Sequence, residues 1–156
     1  MRLLVIMLSF ALFSSTAMAD LSGVYMAAGS ETAEFIHLVE GQEGVLIGQL
    51  EYVTISDSPK VKTASRNLTG TVRNNAVALN LKIPIVDWFT STTLTGTISR
   101  GVLNLSYSGD TAIYKKVTER QRETALQQIE TTALKRQHAE IAQRARENLA
   151  ALVENV

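Results

Sequence analysis

Two periodicities divide this chain. From Leu21 to Val117 short runs rich in Thr, Val, Leu and Ile are broken by Gly, Asn and Pro, and in places such as Leu68, Gly70 and Val72 one face recurs at every second position. That pattern reads as half-buried strands joined by tight turns. From Thr118 to Val156 the apolar spacing changes to three and four, and neither Gly nor Pro occurs. That stretch is rich in Ala, Glu, Gln, Arg and Leu, which favour helix.

The first pattern predicts eight strands, near 22–27, 33–39, 45–55, 61–72, 76–83, 91–98, 102–107 and 111–117. An internal repeat supports the pairing. Leu68-Thr69-Gly70-Thr71-Val72 returns as Leu94-Thr95-Gly96-Thr97-Ile98, and Leu46-Ile47-Gly48-Gln49-Leu50 is a weaker copy. A two-residue turn at Asn74-Asn75 sets Val72 opposite Val77, Gly70 opposite Leu79 and Leu68 opposite Leu81. A turn at Arg100-Gly101 likewise sets Ile98 opposite Leu103. A slip of one residue would flip a strand and spoil this match in either copy. Asn and Gly tolerate the positive φ that such turns require. Gly recurring on the inner face marks a bend or a close approach, as in a sheet that curls on itself.

The expected fold class is therefore mainly β with a C-terminal helix. Eight antiparallel strands in sequence order suggest a small up-and-down, lipocalin-like barrel or a strongly curled sheet, with a two-layer sandwich as the competing layout. In the barrel the turns at 41–44, 74–75 and 100–101 share one end. The loops near 28–32, 56–60, 84–90 and 108–110 share the other. The loop expected at 84–90 carries Asp87, the sole tryptophan Trp88, and Phe89. A loop so apolar either plugs the open end or meets a partner, which makes Asp87, Trp88 and Phe89 a candidate binding loop.

Thr118 and Gln121 have the capping-box spacing that starts a helix. A helix from 118 to 156 would be about 58 Å long, more than the roughly 20–30 Å height of a small barrel. Its thin stripe runs through Leu126, Ile129, Leu134, Ile141, Leu149 and Leu152, and Gln137 and His138 interrupt it. The stripe either lies on the barrel or forms a coiled-coil interface with another copy or a partner. Glu140 and Arg144 have the i, i+4 spacing of a helix ion pair.

The N-terminus adds a compartment. Arg2, the apolar run Leu3–Phe13 and Ala17-Met18-Ala19 have the form of a secretory leader cleaved after Ala19. The domain plan is leader 1–19, β domain 20–117 and helix 118–156. The run is too short to span a membrane, and no later stretch is apolar enough. The mature chain is thus expected to be periplasmic or secreted, and bacterial, with no disulfide because there is no Cys. Lys plus Arg and Asp plus Glu both number 15, so no bulk charge draws the chain to nucleic acid.

Candidate chemistry is sparse. His37 and His138 stand alone, without Cys or a second His at metal-ligand spacing. No G-x-S-x-G elbow and no Gly-rich phosphate loop occurs. Asp57 and Asp87 fall in loops of the same expected end, where acids are usually solvated. Lys115, Lys116, Arg120 and Arg122 cluster where the last strand meets the helix. These features imply no catalytic, cofactor or metal residue. They fit an exported, non-enzymatic binding module in which the barrel presents loops and the helix serves assembly or partner contact. Two alternatives are a carrier of a small apolar ligand and an inhibitor of a periplasmic or host hydrolase.

Overall fold

The structure, a computed structural model, describes the backbone of residues 21–85 and 88–154 and the side chains of 21–82 and 92–150. The segment expected to be a leader, 1–19, and Asp87 lie outside the described residues. The strands are β1 (Gly23–Ala28), β2 (Thr32–Glu40), β3 (Val45–Ile55), β4 (Val61–Arg73), β5 (Ala76–Ile85), β6 (Trp88–Ser99), β7 (Val102–Tyr107) and β8 (Asp110–Val117), followed by helix α1 (Glu119–Glu154). Each strand pairs antiparallel with the next. β8 returns to β1 through Val24↔Val117, Tyr25↔Lys116 and Met26↔Lys115, so the meander closes into a barrel. No helix among the described residues is long and apolar enough to cross a membrane.

The turns set the register as the repeat implies. Asn74 and Asn75 have φ of 47° and 70°, and Arg100 and Gly101 have 49° and 76°. Positive φ at both central positions matches the right-handed twist of the flanking strands. Val72 faces Val77, Gly70 faces Leu79, Leu68 faces Leu81 and Ile98 faces Leu103. The inner glycines have a steric cause. A Cβ on Gly70 would run into the Ala78 carbonyl, and one on Gly96 into the Asn104 carbonyl. The repeat thus marks where neighbouring backbones coil too closely for any side chain.

Two cores result. Ile36, Leu38, Leu46, Leu68, Leu79, Ile98 and Leu103 fill the barrel. Ala33, Phe35, Val53 and Ile55 point outward instead and are buried under Ala125, Ile129 and Ala133 of α1. This is why β2 reads as nearly continuous apolar sequence: it is covered on both faces. Burying each large aliphatic side chain contributes about 1.5–3 kcal/mol.

The helix begins as its sequence predicts. The Gln121 N–H donates to Thr118 Oγ1 at 3.3 Å, and the Thr118 N–H donates to Gln121 Oε1 at 2.8 Å. Arg122 then pins the first turns to the barrel. It donates to Glu51 and Glu119 at 2.8 Å each and lies 5.2 Å over the Phe35 ring. Glu51 in turn lies 3.6 Å from His37 Nε2. Arg122 is thereby a docking clamp, not part of an exposed basic cluster. Higher up, Arg136 meets Glu31 at 3.5 Å and Glu140 at 3.9 Å. Glu140 therefore leans toward the preceding turn, and the expected pair with Arg144 does not form.

The segment expected to be a loop at 84–90 needs correction. Pro84 and Ile85 continue β5, and Trp88 to Thr90 begin β6, with Pro84↔Phe89 and Ile85↔Trp88 in register. Pro interrupts a strand only where its missing N–H would be needed. Pro84 faces β6 at a position that does not ask for one.

Candidate binding end of the barrel

The two ends of the barrel differ. At the end with the Asn74-Asn75 and Arg100-Gly101 turns, the β4–β5 and β6–β7 ladders run down to their turns. At the other end the wall splits. β4 and β5 pair only from Arg73↔Ala76 to Leu68↔Leu81. Residues 61–67 continue along β3 alone, and residues 82–85 continue along β6 alone. β7 pairs with β6 no further than Thr95↔Ser106, so the upper β5–β6 hairpin rises as a two-stranded ribbon.

Hydrogen-bond phase explains the split. The Ser56 N–H donates to the Lys60 carbonyl at the β3–β4 turn. Counting down the antiparallel ladder, Lys62, Ala64 and Arg66 then bond to β3. The N–H and C=O groups of Thr63, Ser65 and Asn67 point to the open side. If the β4–β5 ladder continued, Asn67 would meet Lys82 and Ser65 would meet Pro84. Pro84 has no N–H to give, so the ladder loses a rung there.

Inside the split, the residues that share the face of buried Leu68 are Lys62, Ala64 and Arg66. All seven residues from Val61 to Asn67 are exposed. Ala64 would be covered in a closed wall, so water reaches this stretch from both faces. Tyr52, opposite Ala64, is 38% exposed, and Tyr107 at the β7–β8 turn is 55% exposed. Deeper in the mouth the Tyr114 hydroxyl donates to Glu34 Oε2. Ala27, between them on β1, is small enough to let them meet. Burial, and then this bond to Glu34, hold the Tyr114 hydroxyl well above the usual tyrosine range.

The helix runs to the same end. It starts beneath β8, and its Thr124–Lys135 stretch passes Gly29 and Ser30 of the β1–β2 loop across a hollow of about 500 Å³. Gln137 to Arg144 then face Ser58, Pro59 and Lys60 across a smaller hollow of about 180 Å³. Every described residue from Ile141 to Ala150 is exposed. The helix continues from Ala145 to Glu154, about 15 Å further along its axis.

The expected site residues fare unequally. On the stripe, Ile129 is buried and Leu126 half-buried against the barrel, whereas Leu134, Ile141 and Leu149 are exposed. Leu152 falls within α1, and its side chain lies outside the described residues. Trp88 and Phe89 belong to β6 rather than to a loop, at the tip of the free ribbon. Asp57 is exposed in the β3–β4 loop, and His138 is exposed on α1. The open edge of β4 escaped the sequence reading. Its available signal was Pro84 inside a strand pattern, which marks an edge.

No protein family, curated protein or solved structure matches this chain.

Proposed function

We propose that this is an exported, non-enzymatic protein-interaction module whose working surface is the open end of the barrel. One observation carries the reading. The last half-buried residue described on α1 is Glu140, and the helix goes on with Ile141 and Leu149, 58% and 64% exposed. Leu134, Ile141 and Leu149 together make an exposed apolar row at spacings of seven and eight residues, the form in which a helix is offered to a partner or a second helix. The filled barrel interior favours this role over carriage of an apolar ligand. Three hollows among the described residues lie along α1, outside the wall. Export rests on the leader-like residues 1–19.

The test compares the mature chain with its A145D/L149D variant by light scattering and by cross-linking in the native exported fraction. Both positions are exposed, so folding should be unchanged. A complex, with a partner or with a second copy, is expected for the parent chain and lost in the variant. A complex that survives the variant unchanged would remove the helix from the interaction.

A further inference from the structure

We propose that the free edge of β4 binds an extended, acidic strand of a partner protein, adding it to the barrel wall between β4 and β5. The edge carries the backbone chemistry. Thr63, Ser65 and Asn67 present alternate N–H and C=O groups to the gap, along a seven-residue stretch about 23 Å long; the Ser65 carbonyl accepts from Arg66 Nη1 at 2.9 Å, a bond that an incoming strand would replace. An extended peptide satisfies such groups by antiparallel or parallel pairing, and side chains at every second position then set its specificity. β5 does not supply that strand, because Pro84 stands where a donor is required.

Charge selects the partner. From Ser58 to Val86 the chain has no Asp or Glu, yet it carries Lys60, Lys62, Arg66, Arg73 and Lys82. This asymmetry belongs to a chain whose total charge is zero. Lys62 and Arg66 lie on one face of β4, four residues apart, and neither forms an ion pair with a carboxylate among the described residues. Acidic side chains on alternate residues of an incoming strand would meet both. A second copy is a poorer occupant: two β4 edges paired antiparallel about Ala64 would set Lys62 against Arg66, like charges directly opposite, and pairing about Ser65 would give neither side chain an opposite charge. The same basic side chains discourage indiscriminate strand pairing, so the edge is kept open for an acidic strand. This inference does not depend on the helix reading, since A145D/L149D leaves the β4 edge untouched.

The test uses the whole mature chain with capped eight-residue peptides that alternate Thr with Glu, or Thr with Lys, and a short single-stranded oligonucleotide as a polyanion without strand-pairing groups. Binding is read by amide chemical shifts and hydrogen exchange. The Glu peptide should bind and protect the amides of Thr63, Ser65 and Asn67, and the Lys peptide should not. K62E/R66E, both at exposed positions, should weaken the Glu peptide by about tenfold or more and favour the Lys peptide. P84T restores a donor to β5, so it should draw β4 and β5 together, protect the same amides without peptide and compete with peptide binding. Several results would overturn the proposal: no peptide binding at millimolar concentration, binding indifferent to K62E/R66E, oligonucleotide binding with no peptide-induced protection, or concentration-dependent protection of these amides by the protein alone.

Discussion

The closed and open ends of the barrel use the same alternating strands to opposite effect. Near the closed end the inner positions are Leu46, Leu68, Val72, Val77, Leu79, Ile98 and Leu103, all buried. Glycines there let neighbouring strands coil tightly. At the open end β4's inner positions are Lys62, Ala64 and Arg66, all exposed, and the ladder to β5 has ended. The lesson is that a meander can concentrate its stability in one half of its height. The other half is then free to be polar and to stop pairing, because little of the fold depends on it. The helix repeats the division along its own length: Ala125, Ile129 and Ala133 are buried against the wall, and every described residue from Ile141 to Ala150 is exposed.

Core truncation should separate the two ends most strongly. Leu79→Ala removes a fully buried side chain and should cost about 2–5 kcal/mol in denaturant unfolding. Ala64→Ser, on the same inner face but at the open end, should change stability by no more than about 0.5 kcal/mol. Comparable losses at both positions would mean that the open end is packed after all.

A smaller effect is expected where the two regimes meet. Tyr114→Phe deletes the hydroxyl that reaches Glu34 and should cost about 1–2 kcal/mol at neutral pH. The pH dependence has a definite sign. In the unfolded chain Tyr114 ionises near 10.0, whereas in the fold it holds its proton to higher pH. Its contribution is therefore complete below pH 10 and is lost as pH climbs above it. The stability gap between parent and Tyr114→Phe should be flat through neutral pH and shrink above pH 10. A gap that widens there would contradict the assigned proton position.

Much of the closed end could be read from the sequence because its determinants are local. Two-residue turns at Asn74-Asn75 and Arg100-Gly101 fix parity for several rungs, and the repeated Gly shows where backbones crowd. Thr118 and Gln121 announce the helix start in the same way. The open end depends on longer-range facts. Whether Pro84 ends a strand or occupies an edge is decided by the hydrogen-bond phase of β4, inherited from the β3–β4 turn some twenty residues earlier. From composition alone, 84–90 reads as a loop, and only the pairing of Pro84 with Phe89 and Ile85 with Trp88 makes those residues strand. The docking face of α1 was partly visible as a stripe. Which third of the stripe would be covered was not, because that depends on the height of β2 and β3 beneath it. The Tyr114–Glu34 bond had no local signal, since it spans three strands and relies on Ala27 being small.

Native-state hydrogen exchange on the unliganded protein tests the division of the barrel most directly. The account predicts that the amides of Thr63, Ser65 and Asn67 exchange with little protection, while those of Thr69 and Thr71, in the same phase on the paired part of β4, exchange only with global unfolding. Equal strong protection at both sets of amides would show that β4 and β5 pair to their ends, and would contradict the open edge on which the binding end is built.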